Sequence, residues 1–323
     1  MKVKLLFTGI LMVLAQPVLA SSAPIQNAKA SFVISSYAQT KYPIVLAHGL
    51  FGFNKLGTEA FGLDYWYQIP QDLAKNGANV WATRQSAANT SEVRGEQLLA
   101  EVQDILAITG AQKVNLIGHS HGSQSVRYVA GVLPDRVASV STVGGPAKGA
   151  PLADLIYKSL AGTVLEAPIA TLVNAATNLI TIGQLDDPRQ YPMDSLGAAY
   201  SLSTEGANKF NATFSAGVPT TACGQGAAKV NGIQYYSWSG ASVLTNPVDP
   251  TDYLLGLTSV FSGQNNDGLV PACSSHIGTV IRDNYVLNHL DEVNQVLGLR
   301  SVFAQDPVSI FRQHANRLKL QGL

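Results

Sequence analysis

Charged side chains are scarce in this chain. Asp, Glu, Lys and Arg make up 13% of its 323 residues, whereas hydrophobic residues make up 46%. The 21 acidic residues balance the 21 basic ones, and no run of like charge occurs, which excludes a nucleic-acid-binding surface built on excess positive charge. So little charge is typical of a protein that meets an apolar surface, or of one with a large buried parallel sheet.

The N-terminus lacks an apolar stretch long enough to cross a bilayer. Its hydrophobic run, from Leu5 to Ala15, follows two lysines and precedes small residues, which is the order of an export signal. Candidate cleavage sites end at Ala20 and at Ala30. We therefore predict a secreted protein with a signal peptide over residues 1–30, cleaved between residue 20 and about residue 36, and a single domain over residues 31–323.

Only two cysteines are present, Cys223 and Cys273. In an exported protein they predict one disulfide, and the alternative is a pair of free thiols. A bridge would close a loop of about 50 residues, which the chain-entropy model values at roughly 4 kcal/mol before strain is subtracted.

Short apolar runs alternate with helical patterns along the chain. The predicted strands are residues 42–47, 80–83, 114–117, 137–143, 232–240 and 279–282. A helix with Asn89, Thr90 or Ser91 as its cap carries apolar residues at nearly 3.6-residue spacing. This alternation predicts an α/β fold with a mostly parallel sheet covered by helices on both faces.

One segment between Pro151 and Gly183 combines an apolar helical stripe with almost no charge. The stripe consists of Ile169, Leu172, Val173, Ala176, Leu179 and Ile180. A surface helix normally carries Lys or Glu, so the pattern predicts a helical lid at about residues 155–195 that covers the site in water and turns outward at a lipid interface. The alternative is an ordinary core helix.

The pentapeptide from Gly118 to Gly122 has the form Gly-x-Ser-x-Gly. It follows the apolar run 114–117 and precedes a helix that begins near Ser123, which is the context of a nucleophile elbow. Glycines suit both flanks of a strained serine, because a side chain there would collide with the strand or the helix. The motif predicts that Ser120 is a nucleophile, and the alternative is an ordinary glycine-rich turn.

A serine nucleophile needs a histidine base, which in turn needs an acid to orient it. In elbow hydrolases the acid and then the histidine follow the serine along the chain. His289 occupies a loop after a strand, whereas His276 lies close to Cys273 and His314 belongs to a basic amphipathic tail that predicts a solvated helix face. Asp267 lies in a turn before His289. The other candidate acids fall in or near the predicted lid: Asp186, Asp187 and Asp194. We predict the triad Ser120, Asp267 and His289.

An oxyanion hole needs backbone N–H groups beside the nucleophile. We predict one from His121, directly after the serine, and one from Leu50, in the loop after the first apolar strand. His48 is either a supporting hydrogen-bond partner or an ordinary loop histidine.

Asp291 and Gln295 are four residues apart and on a helix would share one face, where they could bind calcium with a second carboxylate. The alternative is that Asp291 is a favourable charge at a helix start.

Taken together, the sequence resembles the secreted bacterial triacylglycerol lipases of the Pseudomonas type, which depend on a dedicated foldase. The resemblance extends from about Tyr37 to the C-terminus and is carried by several segments. They are residues 42–49, 90–98, 114–122, 235–240, 282–285 and 288–295. Leu50 stands where the family often has methionine, a change that a backbone donor tolerates, and residues 155–195 depart from the family.

The resemblance implies an α/β-hydrolase fold and the same triad of Ser120, Asp267 and His289, whereas the helical lid is predicted from the residue pattern alone. It also implies a disulfide between Cys223 and Cys273, and one structural calcium ion. The implied calcium ligands are the carboxylates of Asp249 and Asp291, the side-chain oxygen of Gln295 and the backbone carbonyl of Leu299.

The resulting hypothesis is a secreted, monomeric lipase that acts at the lipid–water interface after folding with a periplasmic lipase-specific foldase. An esterase for soluble short-chain esters is the nearer alternative. A hydrolase fold used only as a binding module is the more distant one, and the filled triad and oxyanion positions argue against it.

Overall fold

The computed structural model describes residues 25–53, 55–57, 62–161, 189–263 and 265–323. Most of the predicted signal peptide and of the predicted lid lies outside these ranges. The strands are β1 (Ile25–Ala28), β2 (Ile44–Ala47), β3 (Lys55–Gly57), β4 (Gly62–Asp64), β5 (Val80–Thr83), β6 (Val114–His119), β7 (Val137–Val143), β8 (Lys229–Val230), β9 (Ile233–Gly240) and β10 (Thr279–Tyr285). The helices are α1 (Ile69–Lys75), α2 (Ser91–Thr109), α3 (Gly122–Val132), α4 (Pro151–Leu160), α5 (Ser195–Leu202), α6 (Thr204–Thr213), α7 (Pro250–Ser259) and α8 (Pro307–Leu320).

Eight strands of the described chain form one sheet in the order β1-β5-β2-β6-β7-β9-β10, with β8 paired to β9. The neighbours from β5 to β10 run parallel. Strands β1 and β8 run antiparallel to their partners, and β3 and β4 form a separate hairpin. The predicted mostly parallel sheet is therefore confirmed.

The sheet is buried on both faces, as the continuous apolar run of β2 predicts. Ile44 and Leu46 enter one core cluster, and Val45 and Ala47 enter the other, because successive strand residues point to opposite faces. Helices α1 and α8 contribute to the first cluster through Ile69, Leu73, Phe311 and Ala315. Helices α2 and α3 contribute to the second through Leu98, Val102, Val126 and Val129.

The two cysteines form a disulfide, with Cα atoms 4.6 Å apart. It joins the segment before β8 to a short 3-10 turn, Ala272–Ser275, that closely follows Asp267. The pairing implied by the family resemblance is thus present.

Among the candidate helix caps, Thr90 precedes α2 and its side chain accepts a hydrogen bond from the N–H of Val93. Asp194 caps α5 in the same way, which gives this carboxylate a structural role.

The prediction of a solvated face for His314 is wrong. Its imidazole is 1% exposed, because it shares the inward face of α8 with Phe311 and Leu318. Arg317 donates a hydrogen bond to Nδ1, and Nε2 lies 2.7 Å from the Ser141 hydroxyl. Burial, and then the charge of Arg317, lower the pKa of His314 to about 3.

This buried histidine predicts acid lability. Between pH 3 and 6.5 the unfolded chain binds a proton at this site that the folded chain does not, so stability is full above pH 6.5 and falls as pH decreases through that window. Replacing His314 with glutamine should reduce the loss of unfolding free energy between pH 7 and pH 5 by about 2 kcal/mol. Urea unfolding at the two pH values tests this, with the exposed Gln313→Ala on the same helix as control. Equal losses in His314→Gln and the parent would contradict it.

Candidate active site

Ser120 lies at the turn between β6 and α3, in a left-handed backbone conformation with φ of 52°. This region is unfavourable for a residue with a side chain, so the surrounding structure has to hold it. The serine N–H donates to the carbonyl of Val143 at 2.9 Å. A Cβ on Gly118 would come within 2.2 Å of the Gly122 carbonyl oxygen, and one on Gly122 within 2.2 Å of the Ala47 carbonyl oxygen. Both flanking glycines are therefore sterically required, as the motif predicts.

Asp267 and His289 are in direct contact. The Nδ1 of His289 is 2.7 Å from Oδ2 of Asp267, and the His289 N–H donates to the Asp267 carbonyl at 2.8 Å. The other carboxylate oxygen of Asp267 accepts the N–H groups of Leu269 and Val270 at 2.9 and 2.7 Å. With Nδ1–H donating to the carboxylate, Nε2 of His289 is left as the acceptor for a proton.

Two residues that the sequence did not indicate, Tyr65 and His119, link this pair to the loop before Leu50. The N–H of Gly49 donates to the Tyr65 hydroxyl at 2.9 Å, and that hydroxyl lies 2.5 Å from Nδ1 of His119. Nε2 of His119 lies 3.0 Å from the carbonyl of His289, and the two imidazole rings are 4.6 Å apart. The tyrosine therefore accepts from Gly49 and donates to His119, which donates in turn to His289.

A third residue that the sequence did not indicate, Glu292, is 1% exposed and accepts the N–H of Gly240 at 2.5 Å. Its other oxygen is 3.4 Å from Nε2 of His119. Burial, followed by the charge of Asp267, raises the pKa of Glu292, whereas burial lowers the pKa of His119. Burial therefore disfavours the charged form of both groups, which weakens any ion pairing between them. The only sequence signal for Glu292 is its position three residues after His289.

The loop around Leu50 is fixed against the elbow. A Cβ on Gly49 would lie 2.6 Å from the Cβ of Ser120. The buried guanidinium of Arg94 donates to the carbonyls of His48 and Gly49 at 2.6 and 3.2 Å. Within the described chain, neither Leu50 nor His121 donates its backbone N–H to another backbone group. The absence of a backbone partner for either amide among these residues is what the predicted oxyanion hole requires.

His48 is a hydrogen-bonding residue of this loop, which decides between the two roles that the sequence left open. Its Nδ1 lies 2.9 Å from the Gly49 carbonyl, and its Nε2 accepts the N–H of Gln85 at 3.1 Å. Burial, followed by the charge of Arg94, lowers the pKa of His48 to about 3, so the ring is neutral.

Removing the Tyr65 hydroxyl should slow hydrolysis. Tyr65→Phe leaves the Gly49 amide and Nδ1 of His119 without a partner in a buried site, and we expect kcat/KM to fall about tenfold. Tyr67→Phe, two residues away and partly exposed, is the matched control. Steady-state hydrolysis of a soluble ester measures both variants. Equal activity of Tyr65→Phe and Tyr67→Phe would show that this link does not support catalysis.

The residues that the resemblance assigns to calcium provide oxygen donors without a cationic side chain. Asp249 and Asp291 are 1% and 2% exposed, and burial, with further contributions from Asp252 and Asp249, raises the pKa of Asp291 to about 6. Among the described residues, no Lys, Arg or His forms an ion pair with these carboxylates. Buried acidic groups of this kind fit a divalent cation with oxygen ligands.

The helix expected to bring Asp291 and Gln295 onto one face is not there. Two short 3-10 turns, Asp291–Val293 and Val296–Gly298, are separated by Asn294 in a left-handed conformation. Val296, a β-branched residue, has φ of 53°. Such a conformation is unfavourable and has to be held in place, which is consistent with a bound ion at this loop.

Two other groups of potential metal ligands occur in the described chain. His119, His289 and Glu292 have ligand atoms within 4.8 Å of one another, and so do Cys223, His276 and Asp283. The first group belongs to the hydrogen-bond network around His289, and in the second the Cys223 sulfur is part of the disulfide. Neither group coincides with the implied calcium ligands.

A family model for the alpha/beta hydrolase fold matches residues 42–278. The chain belongs to this family. Its relatives include three bacterial proteins named triacylglycerol lipase. The protein from Vibrio cholerae serotype O1 is 52% identical over 288 residues, which cover 89% of this chain and 90% of the relative. The protein from Burkholderia plantarii is 40% identical, with 91% and 90% covered, and the one from Pseudomonas fragi is 39% identical, with 88% and 98% covered.

Solved structures of the hydrolase family share the fold. Bacillus licheniformis lipase BlEst2 in its mature form superposes with a TM-score of 0.59 at 19% identity, covering 83% of this chain and 92% of that one. Staphylococcus hyicus lipase gives a TM-score of 0.55 at 18% identity, covering 87% and 97%. No helix of the described residues of this hydrolase is long and apolar enough to cross a membrane.

Proposed function

We propose that the protein is a secreted serine lipase that hydrolyses triacylglycerol to free fatty acids. The observation that carries the proposal is the short Asp267–His289 hydrogen bond, with His289 in contact with His119 of the strained serine elbow. The relatives named triacylglycerol lipase support the substrate class.

In the proposed mechanism, Nε2 of His289 takes the proton of Ser120 as Oγ attacks the ester carbonyl. The N–H groups of Leu50 and His121 stabilise the oxyanion, and Asp267 stabilises the charged imidazole. The imidazolium then gives its proton to the departing glycerol oxygen, which leaves an acyl-serine. Water, activated by the same histidine, releases the fatty acid and restores the serine.

Calcium belongs to the proposal as a structural ion. Asp249, Asp291, Gln295 and Leu299 would hold it, and it would neutralise buried carboxylates close to the His289 loop. A periplasmic foldase and a monomeric final state also remain proposals, supported by the resemblance of the sequence to the foldase-dependent lipases.

The lipase proposal is tested against an esterase by substrate form. Fatty-acid release should rise steeply when a short-chain triacylglycerol exceeds its solubility and forms droplets, and emulsified long-chain triacylglycerol should be hydrolysed. A rate that saturates below the solubility limit, with no release from long-chain droplets, would move the assignment to a soluble-ester esterase.

The signal peptide is proposed to end at Ala20. Strand β1 starts at Ile25 and pairs with β5 along Val80–Thr83, so cleavage at Ala20 keeps this strand, whereas cleavage at Ala30 removes it and exposes the edge of the sheet. Mass spectrometry of the exported protein should give Ser21 as its first residue. A mature N-terminus after Ala30 would contradict this assignment.

A further inference from the structure

Helix α7 carries an exposed apolar surface together with the loop before it. Tyr253 and Leu257 on the helix, and Val260 directly after it, are spaced four and three residues apart and are 58%, 66% and 73% exposed. From the preceding loop, Leu244 and Val248 are 68% and 73% exposed. We call these five residues the α7 face. A soluble protein rarely leaves so many large apolar side chains together in water unless they bind something.

Two contacts join the loop to the helix. The Tyr253 hydroxyl donates to the carbonyl of Pro247 at 2.9 Å, which holds the ring beside Val248. Leu244 lies over the position where Gly256 has no side chain, since a Cβ there would be 3.2 Å from Leu244 Cδ2. The loop and the helix therefore present their apolar groups to the solvent together.

This part of the chain exposes no charge. From Val230 to Asn266 the sequence contains no Lys, Arg or Glu, and its two aspartates, Asp249 and Asp252, are each 1% exposed. A surface for a protein partner usually has a polar rim. An uncharged apolar surface instead fits a lipid layer, because no ionised group has to lose its water on contact.

The opposite side of α7 is attached to the turn that holds Asp267. The Thr258 hydroxyl donates to the carbonyl of Gly268 at 2.7 Å, and the Ser262 hydroxyl donates to the carbonyl of Leu269 at 2.9 Å. The α7 face is therefore separated from the Asp267 turn by about one helix diameter, roughly 10 Å. A lipid layer on this face would lie next to the proposed catalytic site.

We infer that the α7 face is a docking surface for the lipid–water interface, separate from the predicted lid. Its occupant is the surface of a triacylglycerol droplet, into which Leu257 and Val260 insert. The inference rests on the proposed lipase function, and it adds that binding to the droplet and chemistry at Ser120 depend on different residues.

The test measures partitioning onto triolein droplets stabilised with phosphatidylcholine, by flotation, in the Ser120→Ala background so that the droplets persist. Leu257→Glu should weaken partitioning about tenfold or more, because it removes an inserted leucine and adds a charge. The matched control is Ile108→Glu on α2, at a residue 62% exposed and outside this surface. It should change partitioning less than about twofold.

With Ser120 intact, Leu257→Glu should hydrolyse a soluble short-chain ester at the parent rate, which shows that the site is folded. If it does not, Val260→Glu takes its place in both assays. Partitioning equal to that of Ile108→Glu overturns the inference. The inference is also overturned if light scattering shows a dimeric parent and a monomeric Leu257→Glu variant, since the α7 face would then bind a second copy of the chain. Normal partitioning of the parent without triolein hydrolysis would instead contradict the proposed function and leave docking intact.

Discussion

Replacing Ser120 with alanine is expected to lower kcat for triacylglycerol hydrolysis by about 10⁴-fold to 10⁶-fold. The variant keeps the oxyanion amides and the Asp267–His289 pair but cannot form the acyl-enzyme. The remaining rate is what binding and the oxyanion hole alone provide. Fatty-acid titration on emulsified long-chain triacylglycerol measures the loss.

The matched control is Ser125→Ala on α3, a buried serine whose hydroxyl has no hydrogen-bond partner among the described residues. It should retain nearly full activity. A serine-directed phosphonate should add one covalent adduct to the parent and to Ser125→Ala, and none to Ser120→Ala. Substantial hydrolysis by Ser120→Ala would place the nucleophile elsewhere.

Removing calcium with a chelator should lower the melting temperature and the activity together. An ion present at 100 times its Kd stabilises the folded state by about 2.7 kcal/mol, which corresponds to a shift of roughly 4 °C for a protein of this size. Without it, the buried carboxylates of Asp249 and Asp291 are left unneutralised. Calorimetry with and without chelator, followed by addition of calcium, measures the shift and its reversal.

Asp291→Asn should melt lower than the parent and respond little to chelator. Asp135→Asn, at an exposed acid outside the implied site, should keep the full chelator response. If metal removal changes neither the melting temperature nor the turnover of the parent, calcium has no part in the proposed function.

The central strands of the sheet were predictable from sequence because they are buried on both faces. Residues 80–83 and 137–143 were predicted with the bounds that the structure has, since an apolar run is visible without knowing its neighbours. The elbow was predictable for a similar reason, because its glycines, its serine and the flanking elements are contiguous in the chain.

Other features depend on distant packing and gave no local signal. The burial of His314 requires Ser141 on another element, and the broken turns around Asn294 replace a helix that spacing alone allowed. Tyr65 is 54 residues before its partner His119, so its role emerges only from the fold. Buried polar groups are specified by partners, and partners far apart in sequence leave no pattern within one segment.

His119 and His289 are in contact although 170 residues separate them in the chain. Contacts of such long range form late in folding, because most of the intervening chain has to be in place first. No fragment and no half-synthesised chain can therefore assemble the proposed catalytic site. A cell that makes an ester-cleaving protein is in this way protected from the unfinished chain, which cannot attack the producer's own membranes before its two halves have folded together.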